Sequence, residues 1–361
     1  MDRRTLLKSG LAATAGGLLV PATGAMTGAL TAEAAAAPRV GRVLARNLVV
    51  PWGIAFLPSG DALVSARNSG RVLRVRKSGG YRVVGRVPGV VNIRDSYGGE
   101  GGLLSLELHP DFRNNRWVYA YMSTASDNRV VRMRYADGRL GPPRVVLAGI
   151  PVNAHHNGGG LAFGPGGLLY VSTGDAEDGS RAQNRRSLGG KVLRMTPEGE
   201  VPRGNPFGNY TWSYGHRNPE QITFDGAGNL WSSEFGEKDK DELNRIVKGG
   251  NYGWPRVEGK DGPGGYRDPL AQWDTDICSP SGIAVAAGRA WLGALRGQCL
   301  WSVRLGGPNR GRKARFFTGQ FGRIRSVAKA PDGSLWITTS NRDGRTTPGP
   351  NDDRIIRIRL G

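Results

Sequence analysis

One short pattern recurs six times along this chain: an apolar strand, a turn containing Gly or Pro, and a second strand. The copies begin at Gly53-Ile54-Ala55-Phe56, Ser105-Leu106-Glu107-Leu108, Gly160-Leu161-Ala162-Phe163, Gln221-Ile222-Thr223-Phe224, Gly282-Ile283-Ala284-Val285 and Ser326-Val327-Ala328-Lys329. The second strands include Ala62-Leu63-Val64-Ser65, Leu169-Tyr170-Val171-Ser172 and Leu335-Trp336-Ile337-Thr338. Successive copies lie 44 to 61 residues apart between Ile54 and Val327. Four short strands with their loops need roughly 40–50 residues, so each copy is about one blade with insertions. The pattern predicts an all-β, six-bladed β-propeller. An open sandwich with coincidental turns is the alternative, and six similar copies argue against it.

Composition agrees. The chain has 57 Gly in 361 residues, more than twice the usual share of about 7 %. Gly favours turns and weakens helices. No three-residue Gly period points to collagen, and 38 % apolar residues with nine Trp are enough to fill a core. The two Cys, Cys278 and Cys299, exclude a disulfide scaffold and a cysteine-based zinc module.

The first 37 residues read as a leader and residues 38–361 as a single propeller domain. Asp2-Arg3-Arg4-Thr5-Leu6-Leu7-Lys8 precedes a mildly apolar Gly/Ala stretch, and small residues at Ala34-Ala35-Ala36-Ala37 offer cleavage positions. This is the form of a twin-arginine export signal. It predicts an extracellular, envelope or periplasmic protein with no transmembrane segment after cleavage, and leaves a Cys278–Cys299 disulfide open.

The formal charge is +20, and losing the leader barely changes it. The Arg residues are spread along the chain and often alternate with apolar ones, as in Arg71-Val72-Leu73-Arg74-Val75-Arg76, which predicts solvated basic strand faces. The densest cluster, Arg310-Gly311-Arg312-Lys313-Ala314-Arg315, leaves an acidic envelope surface open as a partner. No helix-turn-helix, zinc-finger or RNA-binding signature accompanies it, so nucleic acid is not an expected partner.

In a propeller, ligands bind on the axis where loops from every blade converge. Four His are present: His109 in the turn of blade two reads as structural, and His155-His156 precede Gly158-Gly159-Gly160. Adjacent residues of an extended chain face opposite ways, so one of the pair reaches a given site, where it suits a general base. His216-Arg217-Asn218 heads blade four. The charged stretch Glu234–Glu242 suits either a hard cation with oxygen ligands or plain solvation. Arg217, Arg296, Arg323 and Arg325 suit a guanidinium cluster for an anionic ligand or structural pairing at strand ends.

These motifs, in their order, resemble the soluble, calcium- and pyrroloquinoline-quinone (PQQ)-dependent sugar dehydrogenases, particularly the aldose sugar dehydrogenase branch. The carriers are Gly99-Glu100-Gly101-Gly102, His109-Pro110-Asp111-Phe112, His156-Asn157-Gly158-Gly159, Gly174-Asp175, Gly215-His216-Arg217-Asn218-Pro219, Asp241-Glu242, Asn251-Tyr252-Gly253-Trp254-Pro255 and Arg323-Ile324-Arg325. The resemblance implies that His156 is the catalytic base and that Arg217 and Asn218 lie beside the quinone. It further implies that Arg296, Arg323 and Arg325 bind the cofactor's carboxylates, and that Glu100 is a cofactor-binding residue where glucose-type members have a Gln contacting the cofactor. Backbone carbonyls of Gly236 and Glu237 would ligate the active-site Ca²⁺, and Glu242 with the Tyr252 carbonyl a structural Ca²⁺. Departures are His155 in place of Asp, Gly160 in place of a basic residue and Glu237 in place of Pro.

The expected function is oxidation of the anomeric carbon of aldoses to lactones, with electrons passed to an external acceptor and an aldose or oligosaccharide as substrate. The alternatives are a non-catalytic carbohydrate- or envelope-binding propeller, which the departures favour, and a calcium-dependent lactonase. The lactonase requires several acidic side chains on the axis.

Overall fold

The computed structural model describes residues 37–361, so residues 1–36 of the expected leader lie outside the described residues. Six antiparallel sheets follow one another along the chain, each built on one copy of the repeat. Their first strands are Pro51–Phe56, Leu103–Leu108, Leu161–Phe163, Asn218–Phe224, Pro280–Ala286 and Ile324–Lys329. Blade two carries a fifth short strand, Arg139–Leu140. The ring closes because the strand Arg39–Ala45, which precedes blade one, pairs antiparallel with Ile355–Arg359 as the outermost strand of blade six. The fold is a six-bladed β-propeller.

Two features of the repeat explain the closeness of the inner strands. A Gly occupies the same place in blades one, three and five. A Cβ on Gly53 would stand 2.7 Å from Leu106 N, one on Gly160 2.9 Å from Gln221 Cα, and one on Gly282 would collide with Val327 N. At these positions the backbone of the next blade fills the place of a side chain. The second strand supplies a hydroxyl that ties the inner strand down. Ser65 Oγ accepts from Gly53 N at 2.7 Å, Ser172 Oγ from Gly160 N at 2.9 Å, Ser233 Oγ from Gln221 N at 3.3 Å and Thr338 Oγ1 from Ser326 N at 3.0 Å. Ser65 and Ser233 also donate to carbonyls of the next blade, Leu104 and Ser281.

Six apolar clusters fill the spaces between successive blades, such as Trp52, Leu104, Tyr119, Tyr121, Val171 and Leu193 around blades two and three. Both faces of a blade are therefore packed. For this reason the solvated basic face expected of residues 71–76 does not form: Arg71 and Arg74 lie on opposite faces of a strand whose Val72, Leu73 and Val75 are all buried. Cys278 and Cys299 are free thiols buried between blades four and five. Burial pushes the Cys299 thiol up to about 12 and raises Cys278 well above its ordinary value, so neither is a ready nucleophile.

Candidate active site

His156 stands in the loop between blades two and three with φ of +54°. Its backbone N–H donates to Glu100 Oε2 at 3.0 Å, and its Nδ1 lies 2.8 Å from Asp175 Oδ1. Asp175 is 1 % exposed and also accepts from Glu177 N at 2.9 Å and Trp254 Nε1 at 2.7 Å. A carboxylate taking these donors is an acceptor, so His156 Nδ1 carries the proton. The Nε2 lone pair is left free. An imidazole oriented in this way suits a general base. Gly174 permits it, since a Cβ there would collide with the His156 carbonyl.

Behind Asp175, Arg181 Nη1 donates to its carbonyl at 2.9 Å, and the buried Lys191 ammonium donates to the carbonyls of Arg181 and Gly189, each at 2.7 Å. The adjacent His155 turns to other carboxylates, Glu177 at 3.2 Å and Asp95 at 3.7 Å. Gly158, Gly159 and Gly160 face the protein rather than a ligand: their missing side chains are replaced by Thr173–Gly174, Leu104 and Gln221–Ile222. A basic side chain at position 160 has no room.

At the head of blade four, Arg217 is held through its backbone N–H, which donates to Glu234 Oε1 at 2.7 Å. Its Nη1 donates to the Gly236 carbonyl at 2.8 Å, and its guanidinium lies 5.4 Å from the Trp254 ring centroid. Trp254 thus touches both the His156–Asp175 pair and Arg217. His216 is structural: fully buried, bonded to Glu234 and Ser213, and stacked on Tyr252. Asn218 is buried, and its Oδ1 accepts from Gly158 N at 2.9 Å.

The third group comes from blade six and its loop. Arg325 donates to Glu220 at 2.9 Å, and Arg323 reaches Asp343 with Nε and Nη2 at 3.0 Å each. Arg345 lies 3.3 Å from Glu100. Burial pushes the Asp343 carboxyl up, and the charges of Arg323 and Arg325 more than reverse this, leaving it below the usual range. Burial pushes Glu100 up likewise, and the charge of Arg345 with the His156 N–H bond brings it below the usual range. Acidic side chains are therefore present here, and each is engaged by Arg. Arg296 lies just past the second strand of blade five, exposed and without an ion pair among the described residues.

The stretch 234–242 is not a solvated loop. Glu234, Asp241 and Glu242 are buried on the two strands of a hairpin, and only its tip carries exposed residues, Glu237 among them. The tip is held by Glu258 Oε1, which accepts from the backbone N–H groups of Glu237, Asp239 and Lys240 at 2.8, 3.1 and 2.8 Å. Asp343, Glu220, Asp175 and Glu258 escape motif reading as site residues because their partners lie far off in sequence. Asp175 alone belongs to a quoted motif.

Glu242, Glu234 and Tyr252 line a cavity of about 10 Å³, on the order of one water-sized sphere. Asn244 Oδ1 is buried nearby without a partner, and its Nδ2 donates to both Glu242 and Glu234. Two buried carboxylates and an orphaned carbonyl oxygen suit a hard cation. The Gly236 carbonyl fits a second cation only if it shares its lone pairs with Arg217. On the axis, Arg217 Nε and Arg325 Nε are buried without acceptors, which suits an anionic ligand with several carboxylates.

The chain matches the model of the glucose/sorbosone dehydrogenase family over residues 48–348. The chain belongs to that family. It is 32 % identical over 287 residues to quinoprotein glucose dehydrogenase B of Acinetobacter calcoaceticus, a match covering 68 % of this chain and 59 % of that protein. It is 29 % identical to aldose sugar dehydrogenase YliI of Escherichia coli, across 84 % of this chain and 90 % of that one. The solved structure of a PQQ-bound aldose sugar dehydrogenase from Streptomyces coelicolor superposes with a TM-score of 0.86 at 47 % identity, covering 90 % of this chain and 98 % of the other.

Proposed function

We propose that this member of the glucose/sorbosone dehydrogenase family oxidises aldoses at the anomeric carbon to lactones. PQQ is the cofactor, Ca²⁺ the metal, and an external acceptor takes the electrons. The observation that carries the reading is the His156–Asp175 pair beside a cluster of guanidinium groups with orphaned N–H donors. In this reading His156 Nε2 takes the proton of the anomeric hydroxyl, and Asp175 stabilises the imidazolium that forms. Glu100 holds the His156 backbone. Arg217 and Asn218 would flank the quinone, and Arg296, Arg323 and Arg325 would bind its carboxylates. PQQ supplies the hydride acceptor. The Gly236 and Glu237 carbonyls would hold the Ca²⁺ that polarises it, and Glu242 with the Tyr252 carbonyl a structural Ca²⁺. Export by the twin-arginine route to the envelope or beyond belongs to the same reading and rests on the leader sequence.

Apo-protein mixed with Ca²⁺ and PQQ is expected to gain aldose-dependent dye reduction. His156→Ala lowers the rate on the order of 10²–10⁴-fold while the quinone absorbance still titrates with protein. No reduction with any aldose or oligosaccharide from a loaded sample would overturn the reading. Failure to bind quinone in the presence of Ca²⁺ would favour a non-catalytic binder.

A further inference from the structure

Arg67 follows the second strand of blade one, Ala62–Ala66, and is 1 % exposed. Its direction is fixed by the fold. Nε donates to Asn68 Oδ1 at 2.9 Å, and that oxygen also accepts from Asn92 Nδ2 at 3.0 Å. The Arg67 carbonyl accepts from Leu103 N at 2.9 Å, and a Cβ on Gly102 would stand 2.9 Å from Arg67 Cγ.

What Arg67 lacks is a counter-ion. It makes no ion pair among the described residues, and its Nη1 is buried without a hydrogen-bond partner. The charges that act on it are Arg325, Asp343, Glu100 and Arg345, all groups of the axial site. Both carboxylates are already engaged: Asp343 by Arg323 and Arg325, Glu100 by Arg345 and the His156 N–H. The local count is four guanidinium groups, at 67, 323, 325 and 345, against three carboxylates, at 100, 220 and 343. Burial, followed by the charge of Arg325, lowers the Arg67 pKa to about 9, the direction expected of a cation with no partner. A buried, unpaired charge weakens a fold, and replacing such ions with apolar groups is often neutral or stabilising. An interior that keeps one is suited to an anion arriving from outside.

We propose that Arg67 is a further binding residue for the anionic cofactor, its Nη1–H donating to a carboxylate oxygen of the quinone from the blade-one side of the axis. This rests on the quinone reading above. It separates Arg67 from a structural arginine by the sign of its effect on the empty protein: a strut stabilises the apo form, whereas an unpaired ligand-binding cation burdens it.

The test uses wild type, Arg67→Met and Arg67→Lys, each followed by apo melting temperature and by quenching of tryptophan fluorescence on titration with PQQ in Ca²⁺. Arg67→Met is expected to melt no lower than wild type while losing about 10- to 100-fold in quinone affinity, the effect of one charge-assisted hydrogen bond. Arg67→Lys keeps the charge without the planar fork and is expected to lose less. Unchanged affinity in both variants overturns the inference. A lower apo melting temperature with unchanged affinity also overturns it, making Arg67 a strut. If Arg67→Met does not fold, an undiminished affinity in Arg67→Lys together with a lowered apo melting temperature overturns it as well. A melting-temperature titration with citrate separates the two readings. Wild type stabilised by citrate and blind to PQQ sinks the quinone reading, and loss of the citrate effect in Arg67→Met then upholds Arg67 as an anion-binding residue.

Discussion

In the proposed reaction, Asp175 fixes which nitrogen of His156 serves as the base. It receives three donors, from His156, Glu177 and Trp254, and being 1 % exposed it gains little help from water. An Asn at this position keeps the shape but loses the charge that stabilises the imidazolium, and its amide N–H₂ cannot accept from all three donors. Asp175→Asn is therefore expected to lower kcat on the order of 10²–10⁴-fold, with KM and the quinone titration nearly unchanged, in steady-state dye reduction. A parallel loss of quinone binding would instead make Asp175 part of the cofactor pocket. The residues legible in the sequence were those in short, chemically unusual runs: His156, Arg217, Arg323 and Arg325. Asp343 and Arg67 were not, because their meaning arises only when blade one, blade six and the 341–345 loop meet on the axis. At Asp241 and Glu242 the sequence left a cation site and plain solvation both open, and burial removes the second. The run of alternating acids and bases is a hairpin strand pressed between neighbours.

The strands were legible from Gly/Pro turns and apolar runs, and even the hydroxyl ties stand at the fourth residue of Ala62–Ser65, Leu169–Ser172 and Leu335–Thr338. Strand pairing was harder to read, because register depends on bulges such as that between Val72 and Leu73. One consequence is a set of like charges set opposite one another: Arg71 faces Arg86, Arg39 faces Arg359, and Arg289 faces Arg304. Some guanidinium groups find relief, as Arg74 does with Asp61 at 2.7 Å. Arg71 and Arg86 are both exposed and have no ion pair among the described residues. Like charges directly opposite cost stability, and opposite charges return about 0.2–1 kcal/mol. Arg86→Glu is expected to stabilise the protein by about 0.5–1 kcal/mol in urea unfolding at low salt. The gain should shrink toward zero near 1 M salt, where charges farther apart than about 3 Å are screened. A gain that survives high salt would point to packing instead.

The molecule uses the two ends of its axis differently. One end gathers His156, Arg217 and the blade-six guanidinium groups. Toward the other, the inner strands enclose a polar cavity of about 510 Å³, lined by Glu107, Gln221, Thr223 and Lys329 among others. Glu107 carries the titration that should be visible in the stability of the whole protein. Burial pushes its carboxyl from 4.5 up to about 8, against a backbone hydrogen bond from Phe163 that acts in the opposite direction. The folded protein therefore holds a proton there that the unfolded chain releases above its own pKa of 4.5. Stability from this group is complete below that value and is lost as pH rises toward about 8. Glu107 is only partly buried, and solvent screening reduces the loss to about 1–2 kcal/mol. Glu107→Gln keeps the size and an amide oxygen to accept from Phe163, and removes the titration. Urea unfolding of the two proteins should give the same free energy near pH 4, with the variant more stable by about 1–2 kcal/mol at pH 9. A difference that stays flat across this range would show that Glu107 reaches water freely in the folded propeller and that the cavity is an open mouth.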